Sequence, residues 1–245
     1  MKTIGLIGGM SWQSTALYYR QINETAQRRL GALHSAKILL YSVDFQEVEA
    51  LQRAGDWHAA GAYLAEAAKR LAAGGADFLL LASNTMHKVA PAIEAATPLP
   101  LLHIADPTAT AIRRAGLTTV GLLGTRFTLE EEFYRQRLSD QHGLRVLLPG
   151  PAERERMHRV IYDELCQGQF TEASRAEFRQ MIARLVSAGA EGIILGCTEI
   201  TLLVDESDAA VPLFDTTSLH AIAAVDRAIG VSPARIGHPG DLETR

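Results

Sequence analysis

The sequence predicts an α/β protein made of two pseudo-symmetric copies of one unit, each a four-stranded parallel sheet covered by helices. Three observations carry this expectation. Short apolar strands recur without polar alternation, as strands buried on both faces do. Longer stretches of helical periodicity separate them, the pattern of a parallel sheet with crossover helices. Finally, four segments recur in the same order. TIGLIG at 3–8 returns as TVGLLG at 119–124, and KILLYS at 37–42 as RVLLPG at 145–150. GADFLLLASNT at 75–85 returns as GAEGIILGCTE at 189–199, and LPLLHIAD at 99–106 as VPLFDTTS at 211–218. The offsets are 116, 108, 114 and 112 residues, in a chain of 245. The chain is long enough for two domains of about 110 residues each.

Taken in order, residues 1–105 form the first expected flavodoxin-like unit and 106–215 the second. In AAGAYLAEAAKRLAAGG (59–75), Tyr63, Leu64, Ala67, Ala68 and Leu71 fall on one face at spacings of three and four, which predicts an amphipathic helix. FTEASRAEFRQMIARLVSAG (170–189) repeats the pattern, with Thr171 or Ser174 as N-cap and Gly189 as C-cap. The segment TTSLHAIAAVDRAI (216–229) reads as a last helix, free to pack on either unit, the first included. Residues 230–245, rich in Pro, Gly and charge, read as a loose tail.

Composition narrows the function classes. An apolar fraction of 47% and a charged fraction of 21% suit a globular core. A net charge of -4 gives no electrostatic reason to expect nucleic acid or an acidic membrane surface as partner. No apolar run approaches the roughly 18 residues a membrane span needs. The opening MKTIGLIGG passes straight into a strand, without a signal-peptide pattern. Two cysteines, neither in a CxxC or Cys/His ligand spacing, point to the cytoplasm and to no disulfide or metal framework.

Ligands of open parallel sheets bind beyond the carboxyl ends of the strands. In the first unit those ends carry Gly8-Gly9-Met10-Ser11 and Ser83-Asn84-Thr85; in the second, Gly124-Thr125-Arg126 and Cys197-Thr198-Glu199. If the two edges face each other, Ser83 and Cys197 become mates across a cleft between the units. Such a pair suits inversion at a carbon acid, which takes a proton from one face and returns one to the other. An unperturbed thiol is only about 3% ionised at pH 7, a penalty of roughly 2 kcal/mol. A helix starting after Cys197 is expected to lower its pKa. Asn84, Thr85 and Thr198, with neighbouring backbone N–H groups, are placed to hold a carboxylate.

Other signals are weaker. Gly5, Gly8 and Gly9 suggest a nucleotide loop, but GLIGGM is not GxGxxG. His87, four residues after Ser83, raises a Ser–His hydrolase, yet the GxSxG elbow is missing. The other histidines show no HxxxH or HExxH spacing, so no metal site is expected. Cys166, in the helical-looking IYDELCQGQF, reads as core filler. Arg53 and Arg126 are candidates for a substrate side-chain carboxylate, with surface charge as the competing role.

IGLIGGMSWQST at 4–15, SNTMHK at 83–88, GTRFT at 124–128 and GCTEI at 196–200 make the chain resemble the cofactor-independent aspartate/glutamate racemases, up to about residue 229. The resemblance implies substrate held between two flavodoxin-like domains, a homodimer, and no pyridoxal phosphate or other cofactor. Carried over by position, Cys197 and Ser83 are catalytic. Met10, Gln52, Asn84, Thr85, Thr198 and Glu199 contact the amino-acid substrate, and Thr125 and Thr128 line the cleft. The family has cysteine at both catalytic positions, so Ser83 is a departure, although a close subgroup also carries a hydroxyl there. Because the Cys197 position handles the proton of the L isomer, the expectation is an enzyme favouring L-aspartate or L-glutamate. A one-cysteine decarboxylase of malonate-like acids and a silent binding paralogue remain the alternatives.

Overall fold

The computed structural model describes residues 1–231; the expected tail lies, from residue 232 onward, outside the described residues. The first half runs β1 (Ile4–Gly8), α1 (Trp12–Leu30), β2 (Ile38–Ser42), α2 (Phe45–Ala54), α3 (Trp57–Ala73), β3 (Phe78–Leu81), α4 (Ala90–Ala96), β4 (Leu101–Leu102) and α5 (Ala105–Arg114). The second half runs β5 (Thr119–Gly124), α6 (Arg126–Glu130), α7 (Glu132–Gln136), β6 (Arg145–Leu147), α8 (Pro151–Asp163), α9 (Glu172–Ser187), β7 (Gly192–Gly196), β8 (Leu213–Asp215) and α10 (Thr216–Ile229).

Two four-stranded parallel sheets result, ordered β2-β1-β3-β4 and β6-β5-β7-β8. This is the doubly wound flavodoxin-like order, realised twice. In the first sheet Ile4–Ile7 pair with Phe78–Leu81. In the second, Val120–Gly124 pair with Gly192–Gly196.

Both faces of the first sheet are apolar because alternate residues of a strand point to opposite sides. Phe78 and Leu80 join Tyr18 and Ile22 of α1. Leu79 and Leu81 join Leu64, Ala68 and Leu71 of α3. Each fully buried large apolar side chain among them, such as Leu64, Phe78 or Leu79, stabilises the fold by roughly 1.5–3 kcal/mol. Tyr63, expected on the inner face of α3, is only half-buried, and Ala60 and Ala65 are buried instead. Thr171 is the N-cap of α9, accepting from the Ser174 N–H, and the helix ends one residue early, at a C-cap of Ala188.

The units exchange helices. After β4 the chain crosses over, and Ile104, Ala105, Ala109 and Ile112 pack with Leu122 and Ile194 of the second sheet. After β8 it crosses back, and Ala221, Ala224, Val225 and Ala228 of α10 pack against the first sheet. Arg29 of α1 pairs with the buried Asp226 at 3.1 Å, and Gln21 donates to Ser218 at 2.7 Å. Among the described residues no helix is long and apolar enough to cross a membrane.

Candidate active site

The carboxyl ends of β1, β3, β5 and β7 converge on one pocket between the sheets. Two glycines make the approach possible. Gly9 has a φ of +99°, and a Cβ there would stand 2.2 Å from the Val43 carbonyl oxygen. A Cβ on Gly196, the last residue of β7, would stand 2.7 Å from the Leu123 carbonyl oxygen. A side chain at either position would push these backbones apart.

Met10, Gln52, Ser83, Asn84, Thr85 and Thr125 line the pocket with Cys197, Thr198 and Glu199, as do Phe45, Ile161, Tyr162 and Cys166. Its cavity measures about 40 Å³, room for roughly three waters at the ~10–15 Å³ each needs. Hydrogen bonds join the units across it. The Tyr162 hydroxyl donates to Gln52 Oε1 at 3.1 Å, and the Thr85 and Thr125 hydroxyls are 2.8 Å apart.

Thr128 is a correction. It is fully buried and stands behind the lining, with its hydroxyl 3.2 Å from Thr125 Oγ1 and 3.3 Å from Thr85 Oγ1. Its place is to orient those two hydroxyls. Cys166 is a second correction, in part. It lies in a short 3-10 turn, Leu165–Gln167, just past α8, where it packs against the core of the second sheet as expected and also lines the pocket. Burial, then the nearby Glu199 charge, pushes its thiol up.

Cys197 follows β7 directly and is buried. Its Sγ donates to Glu199 Oε2 at 3.0 Å. The other Glu199 oxygen accepts from the Ser11 and Ser14 hydroxyls at 2.8 and 2.7 Å. The helix expected after Cys197 is a five-residue 3-10 turn, Thr198–Leu202, too short to build much of a dipole. The thiol is therefore not lowered. Burial, then the Glu199 carboxylate, holds it well above the usual thiol range.

Ser83 sits two residues past β3. Its Oγ accepts from the Met86 N–H at 3.3 Å, leaving the hydroxyl proton unclaimed among the described residues. Asn84 donates through Nδ2 to Thr216 Oγ1 at 3.0 Å. The Thr216 hydroxyl spends its own proton on the Leu195 carbonyl, which settles the orientation of the Asn84 amide. Among the described residues Asn84 Oδ1 is thereby buried without a partner. Gln52 Nε2 meets Met86 Sδ at 2.9 Å, and Thr198 Oγ1 meets Thr217 Oγ1 at 2.9 Å. Arg53 and Arg126 stay at the surface, paired with Glu49 and Glu155, and neither lines the pocket. His87 does not touch Ser83 Oγ; its Nδ1 donates to the Ser83 carbonyl at 2.6 Å.

The Asp/Glu/hydantoin racemase family model matches residues 7–224, nearly the whole chain. The chain belongs to the Asp/Glu/hydantoin racemase family. It is an isomerase of the amino-acid racemase type. A candidate Asp/Glu racemase of Yersinia pestis is 55% identical, with a TM-score of 0.88 over 94% of this chain and 100% of that one. An aspartate racemase homologue of Pyrococcus horikoshii is 32% identical, with a TM-score of 0.81 over 94% of this chain and 100% of that one. The broad-specificity amino-acid racemase RacX of Bacillus subtilis is 23% identical over 91% of this chain and 96% of its own.

Within this racemase fold, sequence reasoning missed Ser11 and Ser14 as partners of Glu199, although both stand in the GGMSWQST stretch. It also missed Tyr162, whose spacing of four from Cys166 places both on one side of α8 and the turn that follows. Phe45 and Ile161 carried no signal beyond apolarity.

Proposed function

We propose that this protein is a cofactor-independent racemase of aspartate and glutamate, with Cys197 and Ser83 working on opposite faces of the substrate Cα. The observation that carries the reading is the Cys197–Glu199 hydrogen bond of 3.0 Å at one strand end, with Ser83 at the corresponding end of the other sheet. A neutral thiol is a poor base, and Glu199 is the acceptor that takes its proton when substrate arrives. Asn84 Oδ1, buried without a partner among the described residues, is the acceptor for the substrate ammonium, whose charge then favours the thiolate. Thr85, Thr125 and Thr198 offer hydroxyls to the carboxylates. The thiolate of Cys197 removes the Cα proton of the L isomer. The Ser83 hydroxyl delivers a proton to the opposite face and regains one from solvent, while the Cys197–Glu199 pair releases the abstracted proton to solvent. Met10 and Gln52 close the walls. Aspartate and glutamate are supported by the family and by the Pyrococcus relative. The reading includes a cytoplasmic homodimer without pyridoxal phosphate, in keeping with the resemblance.

The preference for L takes a definite form. Because the two isomers have equal free energy, kcat/KM for L and D is equal at any rate of inversion. What a weak base at position 83 changes is isotope exchange: Cα deuteration of the L isomer outruns its inversion, and the D isomer exchanges slowly. The test follows L- and D-aspartate and L- and D-glutamate in deuterium oxide, by NMR and chiral chromatography. Faster exchange on L supports the reading. No exchange on either isomer would leave a binding protein, and release of carbon dioxide from a malonate would indicate a decarboxylase.

A further inference from the structure

His87 is buried at the seam where the chain passes from the first sheet to the second. The local cause is the backbone. Residues Thr85–Val89 form a 3-10 turn, so the His87 N–H donates to the Asn84 carbonyl at 3.2 Å. The Ser83 carbonyl, which an α-helix would have paired with that N–H, is taken by the His87 side chain instead. The other ring nitrogen, Nε2, accepts from the Ile104 N–H at 3.2 Å. An amide N–H only donates and a carbonyl only accepts, so the ring is neutral with its proton on Nδ1. Ile104 immediately precedes α5 and packs in the core of the second sheet.

We propose that His87 is a positioning residue for Ser83: its imidazole clamps the Ser83 carbonyl to the crossover before α5 and so sets the direction of Ser83 Oγ. The inference rests on the reading of Ser83 as the group opposite Cys197. Ser83 is held at three points. Its N–H donates to the Leu81 carbonyl at 2.9 Å, its Oγ accepts from Met86 N–H, and its carbonyl accepts from His87. The first two lie within the first unit. Among the described residues only the third ties Ser83 to the element that packs on the second sheet, across which the substrate carbon must be aligned. Downward pressure on the His87 proton affinity, from burial and then from His103 and His220, keeps the ring in this bonding state at neutral pH.

Two amide substitutions separate the two ring bonds. In His87→Asn the amide stands near the place of Nδ1 and retains a donor for the Ser83 carbonyl. In His87→Gln it reaches the place of Nε2 and retains an acceptor for Ile104. Each variant, with Ser83→Ala beside them, is assayed on L-glutamate in deuterium oxide for Cα exchange and for inversion, and its Tm is measured. We expect His87→Gln to lose inversion by roughly ten- to hundredfold, with exchange on the Cys197 face held within about threefold. His87→Asn is expected to keep most of the inversion at a similar Tm. Equal losses of inversion in both variants, or parallel losses of exchange and inversion, would overturn the proposal and leave His87 a packing residue. If His87→Gln does not fold, loss of inversion in a folded His87→Asn overturns it equally. Unchanged inversion in Ser83→Ala overturns the underlying reading itself, an outcome distinct from failure at His87.

Discussion

The ends of β3 and β7 occupy corresponding places in the two sheets, grow from similar segments, and lead into five-residue 3-10 turns at Thr85–Val89 and Thr198–Leu202. Their chemistry differs. At the β7 end a buried thiol donates to a buried carboxylate, itself held by two serine hydroxyls. At the β3 end a serine accepts from a backbone N–H, and its carbonyl is held by a neutral histidine. One end has an acceptor able to take up a proton and the charge that goes with it. The other has a hydroxyl whose proton is unclaimed among the described residues, with the neutral His87 ring directly behind its backbone. Duplication kept the backbone frame that brings two strand ends to one pocket, while the side chains of each end were set independently. In the proposed reaction the β7 end takes the proton and the β3 end gives one.

The largest expected effect comes from breaking the β7 end. Cys197→Ser should lower Cα exchange of L-glutamate by on the order of 10²–10⁴-fold while the far-UV circular dichroism is unchanged. Retention of more than a few per cent of exchange would take Cys197 out of the mechanism.

Next is the attempt to make the two ends alike. Ser83→Cys starts from the same Cβ, and its side chain is only slightly larger, so packing is little disturbed. A thiol ionises far more readily than a hydroxyl. Cα exchange of D-glutamate should rise by about tenfold or more, and inversion of the L isomer should approach its exchange rate. A folded variant with no gain on the D isomer would show that residue 83 does not face the substrate carbon.

The third prediction uses pH to separate the ends. Three neutral histidines stand behind β3. The His220 Nε2 donates to the Leu102 carbonyl at 2.8 Å and its Nδ1 accepts from Tyr18. The His103 Nδ1 accepts from Ala105 N–H at 3.2 Å, and the His87 ring lies 4.3 Å from that of His103. Burial pushes His220 down to about 4 and His103 down to about 2, both from 6.5. Below pH 6.5 the unfolded chain binds protons that the native state refuses, so stability falls as pH falls. Each histidine contributes up to roughly 1.4 kcal/mol per pH unit. Tm should be flat from pH 8 to 7 and drop between 6.5 and 5, with a shallower drop in His103→Gln. A Tm independent of pH from 6.5 to 5 in the wild type would contradict neutral burial of these rings.

The smallest effect is expected at the other thiol. Cys166→Ser should change turnover within about threefold, less than 1 kcal/mol of barrier, since Cys166 lines the pocket without a bond to Glu199. A large loss in a folded variant would mean that the wrong thiol had been chosen.

Much of this was legible before any coordinates. Continuous apolar strands such as FLLL and GIILG, separated by helical stretches, require two-sided burial, and the ordered repeats require that it happen twice. The strand-end rule then places Ser83, Asn84 and Thr85 at the carboxyl edge of one sheet and Cys197 and Glu199 at that of the other, because covalent connectivity puts every loop after a parallel strand on the same side; that the two edges meet was only a condition. What each side chain does there was not legible. The sequence carries no statement of the Thr128 burial, of the Cys166 turn beside Tyr162, or of the short 3-10 segment after Cys197 that offers no full helix dipole to its thiol.

The sequence by itself determined the local and periodic properties: which residues form strands, which faces are apolar, and which residues close each strand. Only the tertiary structure decided the partners. Ser11 and Ser14 meet Glu199 across more than 180 residues of chain, α5 and α10 trade sheets, and His87 bonds a crossover that begins 17 residues later. Hydrogen bonds and proton affinities depend on distances of a few ångströms and on exclusion of water. Those quantities arise when separate segments are packed together, so no pattern within a single segment encodes them.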